Sequence, residues 1–227
     1  MYKRQIYAYL DERGKTSEAR ANREIALLSH MFTKAIRWGV VDDNPCRGVE
    51  RFTMKPRDRY VEDWELEAFC EKSGDFLAAY CAFKVLTGLR QSDILALRLD
   101  QLKPDGIHVT TSKTGKRIVI GWSAALRLSV DRLRKLKRPI AGLYLLSTRK
   151  GTRYSRDGFK SIWQRKMTAA LADPECPLVE RFTEHDLRRK TGSDATADHA
   201  QRLLGHTDAR ITERHYRVKP EKVEPLR

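Results

Sequence analysis

The amino-acid sequence predicts a mainly helical protein that carries one small antiparallel β-sheet. Apolar residues recur at three- and four-residue intervals through most of the chain, which is typical of amphipathic helices. Residues 106–122 change to a pattern rich in Val, Ile and Thr, which favours strands. With 227 residues, of which 41% are hydrophobic, the chain is long enough for one substantial α+β domain and a smaller helical one.

The first part of the chain is predicted to be helical and short. Between residues 17 and 38 apolar residues such as Ile25, Leu28 and Phe32 have helical spacing, and a shorter helix is expected before them. Asn44-Pro45 ends this block, and the stretch that follows is basic, contains a proline and offers little to bury. We therefore predict three segments: a helical domain at residues 1–50, a linker at 51–59 and a second domain at 60–227.

The second domain is predicted to place a β-hairpin among helices. Strands at 106–111 and 116–122 flank Ser112-Lys-Thr-Gly, a composition typical of a hairpin turn. Gly205 is expected to cap the C-terminus of one helix and Thr207 the N-terminus of the next. The helices are predicted at residues 62–72, 75–87, 123–137, 155–172, 184–194, 198–204 and 207–216.

The charge of the chain indicates a polyanionic partner. Lys and Arg number 45 against 30 Asp and Glu, and the formal net charge of +15 is spread along the sequence. Such a balance favours nucleic acid, with a membrane surface as the weaker alternative. Ribosomal and chromatin proteins are as basic, so the charge alone does not indicate a reaction.

Targeting and metal-binding signals are not found in the sequence. No apolar run approaches the roughly 20 residues that span a bilayer, and the polar opening is unlike a signal peptide. We expect a cytoplasmic protein that is nucleoid-associated when bound to DNA. The four cysteines are far apart without a C-x-x-C pair, so they are interpreted as reduced core thiols, and neither a zinc site nor a cofactor is expected.

Two cationic residues stand where they suit phosphate chemistry. Arg90 directly follows Thr87-Gly-Leu at the end of an apolar helix, where Asp93 would orient its planar fork of donors from behind. Lys113 lies in the hairpin turn, from which a mobile ammonium can protonate a leaving oxygen. An exposed arginine after a helix cap and a solvated turn lysine are the plain alternatives.

Three further residues lie towards the C-terminus. His185 and Arg188 are three residues apart and share one helix face, as expected either for phosphoryl transfer without metal or for a basic helix lying on DNA. Tyr216 follows Leu204-Gly-His206 by ten residues and is flanked by charged or polar neighbours. Cationic surroundings favour the nucleophilic phenolate, whereas an isolated tyrosine near a chain end is more often a packing residue.

In this order, the motifs resemble the catalytic set of tyrosine recombinases, the family of lambda-type phage integrases. The resemblance rests on an arginine after Thr-Gly-Leu, a lysine in a hairpin, His-x-x-Arg, Leu-Gly-His and a tyrosine ten residues on. Each motif alone is weak, but five in order are specific. The resemblance covers residues 60–220, and Asn44-Pro45-Cys46 is similar to the end of the family's core-binding domain.

The resemblance implies how a phosphate would be held and released. Arg90, Arg188 and His206 would bind the scissile phosphate, and Asp93 matches the carboxylate that supports these residues from behind in the family. Lys113 would be the general acid for the departing 5′ hydroxyl.

The resemblance also implies the nucleophile. Tyr216 would attack and form a 3′-phosphotyrosyl bond, with His185 as an acid or base beside it. Since the covalent bond stores the phosphodiester energy, neither ATP nor a metal is needed. The partner implied is double-stranded DNA, on which the protein would form a homotetramer. The resemblance is also compatible with accessory DNA-bending proteins and with a monomer in the absence of DNA. Integration, excision and resolution, for a mobile element or a viral genome, share this chemistry.

The sequence departs from the family pattern in two places. Arg189 stands where many members have histidine, which is expected to change local packing rather than chemistry. Residues 1–50 have room for two or three helices, whereas the family's SAM-like core-binding domain has four or more. The chain is therefore interpreted as either a fragment or a shortened variant.

Two other classes of function are compatible with parts of the pattern. A metal-dependent phosphohydrolase would use His185-Asp186 together with His206 and Asp208. A basic DNA-binding module of the same fold, truncated or without catalysis, would use the charge alone. A type IB topoisomerase shares the tyrosine chemistry.

Overall fold

The computed structural model describes residues 3–55, 57–136, 140, 142–205 and 208–219, apart from the side chain of Arg214. The chain forms two compact units, Met1–Arg57 and Asp58–Arg227, and the boundary lies inside the segment predicted as a linker. The prediction of a mainly helical chain with a small antiparallel sheet is confirmed.

The first unit is built from one interrupted helix. α1 spans Lys3–Arg37, and Ser17 inside it has extended backbone angles (φ −168°, ψ 102°), so two helical segments follow one another as predicted. Ile6, Leu10, Ala21, Ile25 and Cys46 form a small buried cluster. The Asn44 side chain donates to Ser29 O at 3.0 Å and accepts from Cys46 N at 3.0 Å, which holds the turn after the helix.

The second unit packs its helices around α3. This apolar helix contacts α2, α5 and α7 and supplies Leu77, Tyr80, Cys81 and Phe83 to the core. The short helix α4 was not predicted, because six residues are too few to show a helical period. The helices are α2 (Asp63–Ser73), α3 (Asp75–Thr87), α4 (Gln91–Ala96), α5 (Ala124–Lys135), α6 (Arg156–Ala172), α7 (Glu184–Asp194), α8 (Ala197–Leu204) and α9 (Ala209–Tyr216), with a 3₁₀ turn at Leu99–Gln101.

The sheet has three antiparallel strands in the order β1-β2-β3. These are β1 (Leu102–Lys103), β2 (Gly106–Thr110) and β3 (Arg117–Gly121). The β2–β3 hairpin was predicted and is present, with Thr110 opposite Arg117. Thr111 N donates to Lys116 O at 2.9 Å and closes the turn, in which Gly115 takes the left-handed conformation (φ 67°).

Helix caps shape the corners of this unit. Gly205 caps α8 in the left-handed conformation, as predicted. The N-cap of α9 is Asp208 rather than Thr207, since the Asp208 carboxylate accepts from Arg210 N at 2.9 Å; Thr207 lies outside the described residues. Gly88 ends α3 with φ 58°, and a Cβ there would lie 2.8 Å from Leu204 Cδ2. Glycine therefore allows α8 to approach the end of α3 closely.

None of the helices in the described ranges combines the length and the apolar character that a bilayer crossing requires.

Candidate active site

The corner after α3 presents Arg90. Gly88 stops the helix, and Arg90 occupies the N-cap position of α4 with extended backbone angles. Within the described part of the chain, Nη1 of Arg90 is buried without a hydrogen-bond partner. Buried guanidinium donors are normally satisfied. An anion in the adjoining cavity would supply the acceptor.

Asp93 connects this corner to the hairpin turn. Its Oδ1 accepts from Ser112 N at 2.9 Å, and the neighbouring Ser92 Oγ lies 3.0 Å from Ser112 Oγ. The sequence led us to expect Asp93 to orient Arg90. The hydrogen bond of its carboxylate goes instead to the turn, because the hairpin folds back against the N-terminus of α4. Asp93 therefore positions the residue that precedes Lys113.

Lys113 lies at the tip of this turn and is exposed. It lines the same cavity as Arg90, Ser92 and Ser112. The turn thus places a long cationic side chain beside Arg90 while leaving it open to solvent.

Arg188 is fixed from two sides in α7. The residue is 3% exposed, and its guanidinium donates to the backbone carbonyls of Gly88 and Leu204, the latter at 2.8 Å. Burial lowers the pKa of Arg188, and the charge of Arg90 lowers it further, while Tyr216 raises it. Two guanidinium groups that repel one another in this way favour an anion between them.

Tyr216 lies at the end of α9 against this arginine. The centre of its ring is 5.3 Å from Arg188 Cζ and 5.8 Å from the His185 ring, with the two rings 26° from parallel. A Cβ on Gly192 would be 2.9 Å from Tyr216 Cβ, so glycine allows this approach. Ser193 Oγ donates to Tyr216 O at 2.9 Å and accepts from Val218 N at 2.8 Å.

His185 lines the cavity and stacks with the Tyr216 ring. Although the residue is open to the cavity, the surrounding protein partly desolvates its ring, and this desolvation lowers the pKa of His185. The charges of Lys84 and Arg189 act in the same direction, and Glu184 opposes them. The neutral imidazole therefore predominates near pH 7 and has a nitrogen that can accept a proton.

These residues border one cavity of about 410 Å³. Four of the predicted site residues line it directly: Arg90, Lys113, His185 and Arg188. Tyr216 adjoins it through its contacts with His185 and Arg188. His206, also predicted for the site, lies outside the described residues.

Sequence reasoning missed three charged residues of the cavity lining. Lys84, Arg156 and Glu184 also border it. Arg156 follows the α6 N-cap Ser155, but nothing distinguishes it by sequence from the other cationic residues. Lys84 and Glu184 are 100 positions apart and meet only through tertiary packing.

Asp186, one of the residues suggested for a metal site, makes other contacts. The Asp186 carboxylate caps its own helix, accepting from the backbone N and Oγ1 of Thr183, both at 2.8 Å. Its other oxygen lies 3.7 Å from Arg189 Nη1. Asp186 is not among the residues that line the cavity, and a carboxylate engaged in this way with its own helix is a poor candidate metal ligand beside His185.

The chain belongs to the phage integrase family, whose pattern matches residues 65–222. It is 28% identical over 212 residues to the integrase of Enterobacteria phage 434, and the match covers 88% of this chain and 58% of that protein. The chain therefore spans a little more than half the length of this curated relative. The predicted family membership is confirmed.

Solved structures with the same fold include two assemblies of lambda integrase. A lambda integrase dimer bound to a core site has a TM-score of 0.82 at 20% identity, covering 99% of this chain and 83% of that chain. A lambda integrase tetramer bound to a Holliday junction has a TM-score of 0.79 at 20% identity, and the match covers 99% of this chain and 68% of that chain. The Tn1549 transposon integrase in complex with circular intermediate DNA has a TM-score of 0.72 at 17% identity, and the match covers 94% of this chain and 79% of that chain. The predicted tyrosine recombinase fold is confirmed.

Proposed function

We propose that this protein is a site-specific DNA strand transferase, a recombinase or integrase that cleaves and rejoins DNA through Tyr216. The observation that carries the proposal is the packing of the Tyr216 ring against Arg188 and His185 at the edge of a cationic cavity. A phenol needs nearby positive charge and a proton acceptor to become a nucleophile, and this arrangement supplies both.

The two arginines would hold the scissile phosphate. Arg90 lines the cavity and has a buried donor without an acceptor in the described residues, and Arg188 is held rigidly by two backbone carbonyls. Fixed donors stabilise the charge that develops on the non-bridging oxygens without reorganising during the reaction. His206 would add a third donor in this role.

The proton transfers follow from the placement of His185 and Lys113. Tyr216 Oη would attack phosphorus as His185 accepts the phenolic proton, and the bond from phosphorus to the 5′ oxygen would break. Lys113 would protonate that oxygen, which leaves a 3′-phosphotyrosyl bond and a free 5′ hydroxyl. Attack by a 5′ hydroxyl on the phosphotyrosyl bond reverses these steps and rejoins DNA. Asp93 would support the step by holding the turn that carries Lys113.

Double-stranded DNA is the proposed substrate, and a homotetramer on DNA is the proposed active assembly. The net charge of +15 favours DNA, and the lambda integrase structures contain a dimer on a core site and a tetramer on a Holliday junction. We propose that residues 60–227 are the catalytic domain and that residues 1–50 belong to a core-binding domain, in a protein associated with the nucleoid when bound to DNA.

The test is covalent trapping on DNA. Nicked duplexes that carry candidate attachment sites are incubated with the protein in chelator, and the products are separated on a denaturing gel. We expect a protein–DNA adduct with wild type and none with Tyr216→Phe, since phenylalanine lacks the attacking oxygen. Tyr144→Phe is the matched control, because Tyr144 is also half-buried but lies near the 3₁₀ turn, where its backbone forms a β-bridge with Arg98, and it should retain the adduct.

The alternatives give other results in the same assay. A non-catalytic DNA-binding module would bind these duplexes in a mobility-shift gel without forming an adduct. A metal-dependent phosphohydrolase would be inactive in chelator and would cleave DNA, without forming an adduct, once a divalent metal replaced the chelator, and Tyr216→Phe would cleave as wild type does.

A further inference from the structure

We propose that Lys84, buried beneath the candidate active site, is a positioning residue that neutralises Glu184 and ties the segments bearing Arg90 and His185 together. The inference rests on the proposed function, since it concerns the same phosphate cavity. It assigns a role to a lysine in the core helix α3, outside the motifs that define the family resemblance.

Lys84 is an unusual core residue because it is a lysine with 1% exposure. A buried ammonium is costly to desolvate unless it is paired and hydrogen-bonded. Nζ of Lys84 donates to Leu89 O at 2.6 Å and forms an ion pair with Glu184 Oε1. The cation therefore reaches both the residue before Arg90 and the residue before His185.

Glu184 is the group that makes a neutralising cation necessary. It borders the cavity, where a carboxylate would repel a DNA phosphate. Its Oε1 accepts from the Tyr80 hydroxyl at 2.6 Å as well as from Lys84. Two donors from α3 thus offset the negative charge at the start of α7.

The remaining charges of the cavity agree with this role. Among the lining residues that the structure describes, the side chains other than Glu184 that carry full charge are cationic: Lys84, Arg90, Lys113, Arg156 and Arg188. Removing the Lys84 charge would leave the Glu184 carboxylate in the cavity lining without its cation, where it would repel a bound phosphate. It would also release the Leu89 carbonyl, and with it one restraint on Arg90.

The decisive comparison uses Lys84→Met, Glu184→Gln and the double variant. Methionine keeps the length of the lysine side chain without its charge, and glutamine keeps an acceptor for Tyr80. If Lys84 neutralises Glu184, Lys84→Met weakens phosphate binding and the added Glu184→Gln restores most of it. If Lys84 acts only by holding the Leu89 carbonyl, the loss of phosphate affinity is not reversed by the second substitution.

Binding of inorganic phosphate is measured by the rise in melting temperature at constant ionic strength, which requires no catalysis. We expect Lys84→Met to weaken the phosphate Kd by about tenfold, a typical coupling between contacting groups, and the double variant to return to within about threefold of wild type. Lys72→Met is the matched control, because Lys72 pairs with Asp173 on another face, and it should bind phosphate as wild type does.

Covalent trapping on DNA is the second readout. We expect Lys84→Met to slow adduct formation by at least about tenfold, with recovery in the double variant. If Lys84→Met does not fold, Tyr80→Phe removes one donor to Glu184 while preserving the buried ring, and a smaller loss reversed by Glu184→Gln is expected.

Three outcomes overturn the inference: wild-type phosphate binding in Lys84→Met, an equal loss in the double variant, or a wild-type protein that does not bind phosphate. Failure of wild type to form a DNA adduct would instead count against the proposed function, and the phosphate measurements would still decide the role of Lys84.

Discussion

Two cations of the candidate site, Arg188 and Lys113, are held in opposite ways. Arg188 is 3% exposed in α7 and donates to two backbone carbonyls from different helix ends. Lys113 is exposed at a turn whose preceding residue is tethered by the Asp93 carboxylate. The fixed cation suits the stabilisation of charge on a phosphate, whereas the exposed one suits delivery of a proton to a departing oxygen.

The largest effect is expected from Arg188→Lys, which removes the planar fork but keeps the charge. Adduct formation should fall by about 10³-fold, as for loss of a fixed transition-state donor. The free energy of unfolding should fall by about 2 kcal/mol, because at least one backbone carbonyl loses a charged hydrogen bond. Urea unfolding and covalent trapping measure the two effects.

Arg98→Lys is the matched control for Arg188→Lys, since Arg98 is a half-exposed arginine paired with Asp100. It should change neither quantity. If Arg188→Lys unfolds with the same free energy as wild type, the hydrogen bonds of Arg188 to the two backbone carbonyls do not stabilise the fold as proposed.

Lys113→Ala should separate catalysis from stability. Cleavage of ordinary DNA should slow by about 10²-fold, the usual contribution of a general acid, while unfolding changes by no more than about 0.5 kcal/mol. A substrate with sulfur in place of the 5′ bridging oxygen should react at nearly the wild-type rate, because a thiolate leaves without a proton. Lys103→Ala, an exposed lysine on β1 of the same sheet, is the control. A defect that sulfur does not relieve would argue for phosphate binding by Lys113 instead.

The smallest effect is expected from Asp93→Ala, which cuts the tether of the turn. We expect about tenfold slower cleavage, equivalent to about 1.4 kcal/mol, from less frequent delivery of Lys113. The sulfur-containing substrate should relieve this defect as well, because both residues act on the same proton transfer. Asp100→Ala, on the exposed 3₁₀ turn, should react normally. A defect in Asp93→Ala that persists with sulfur would show that Asp93 acts mainly on Arg90.

Local sequence determined much of the fold. The β2–β3 hairpin and the Gly205 cap were predicted because alternation, helical period and turn composition are properties of neighbouring residues. The ordered motifs that contain Arg90, Lys113, His185 and Arg188 were likewise found from short stretches of sequence. The structure brings these four residues to one cavity. Elements too short to repeat a period clearly, such as the six-residue α4 and the two-residue β1, left no pattern to interpret.

By itself, the sequence determined which residue types this protein has and most of its longer local elements, because both depend on short stretches of chain. The tertiary structure decided which of them meet. The partner of Asp93 lies 19 positions away in the hairpin, and Arg188 reaches Gly88 across 100 positions. The burial of Lys84 against Glu184 likewise depends on the packing of α3 against α7. Such contacts form only when the core closes, since their free energy comes from desolvation and charge pairing between distant segments rather than from any local preference.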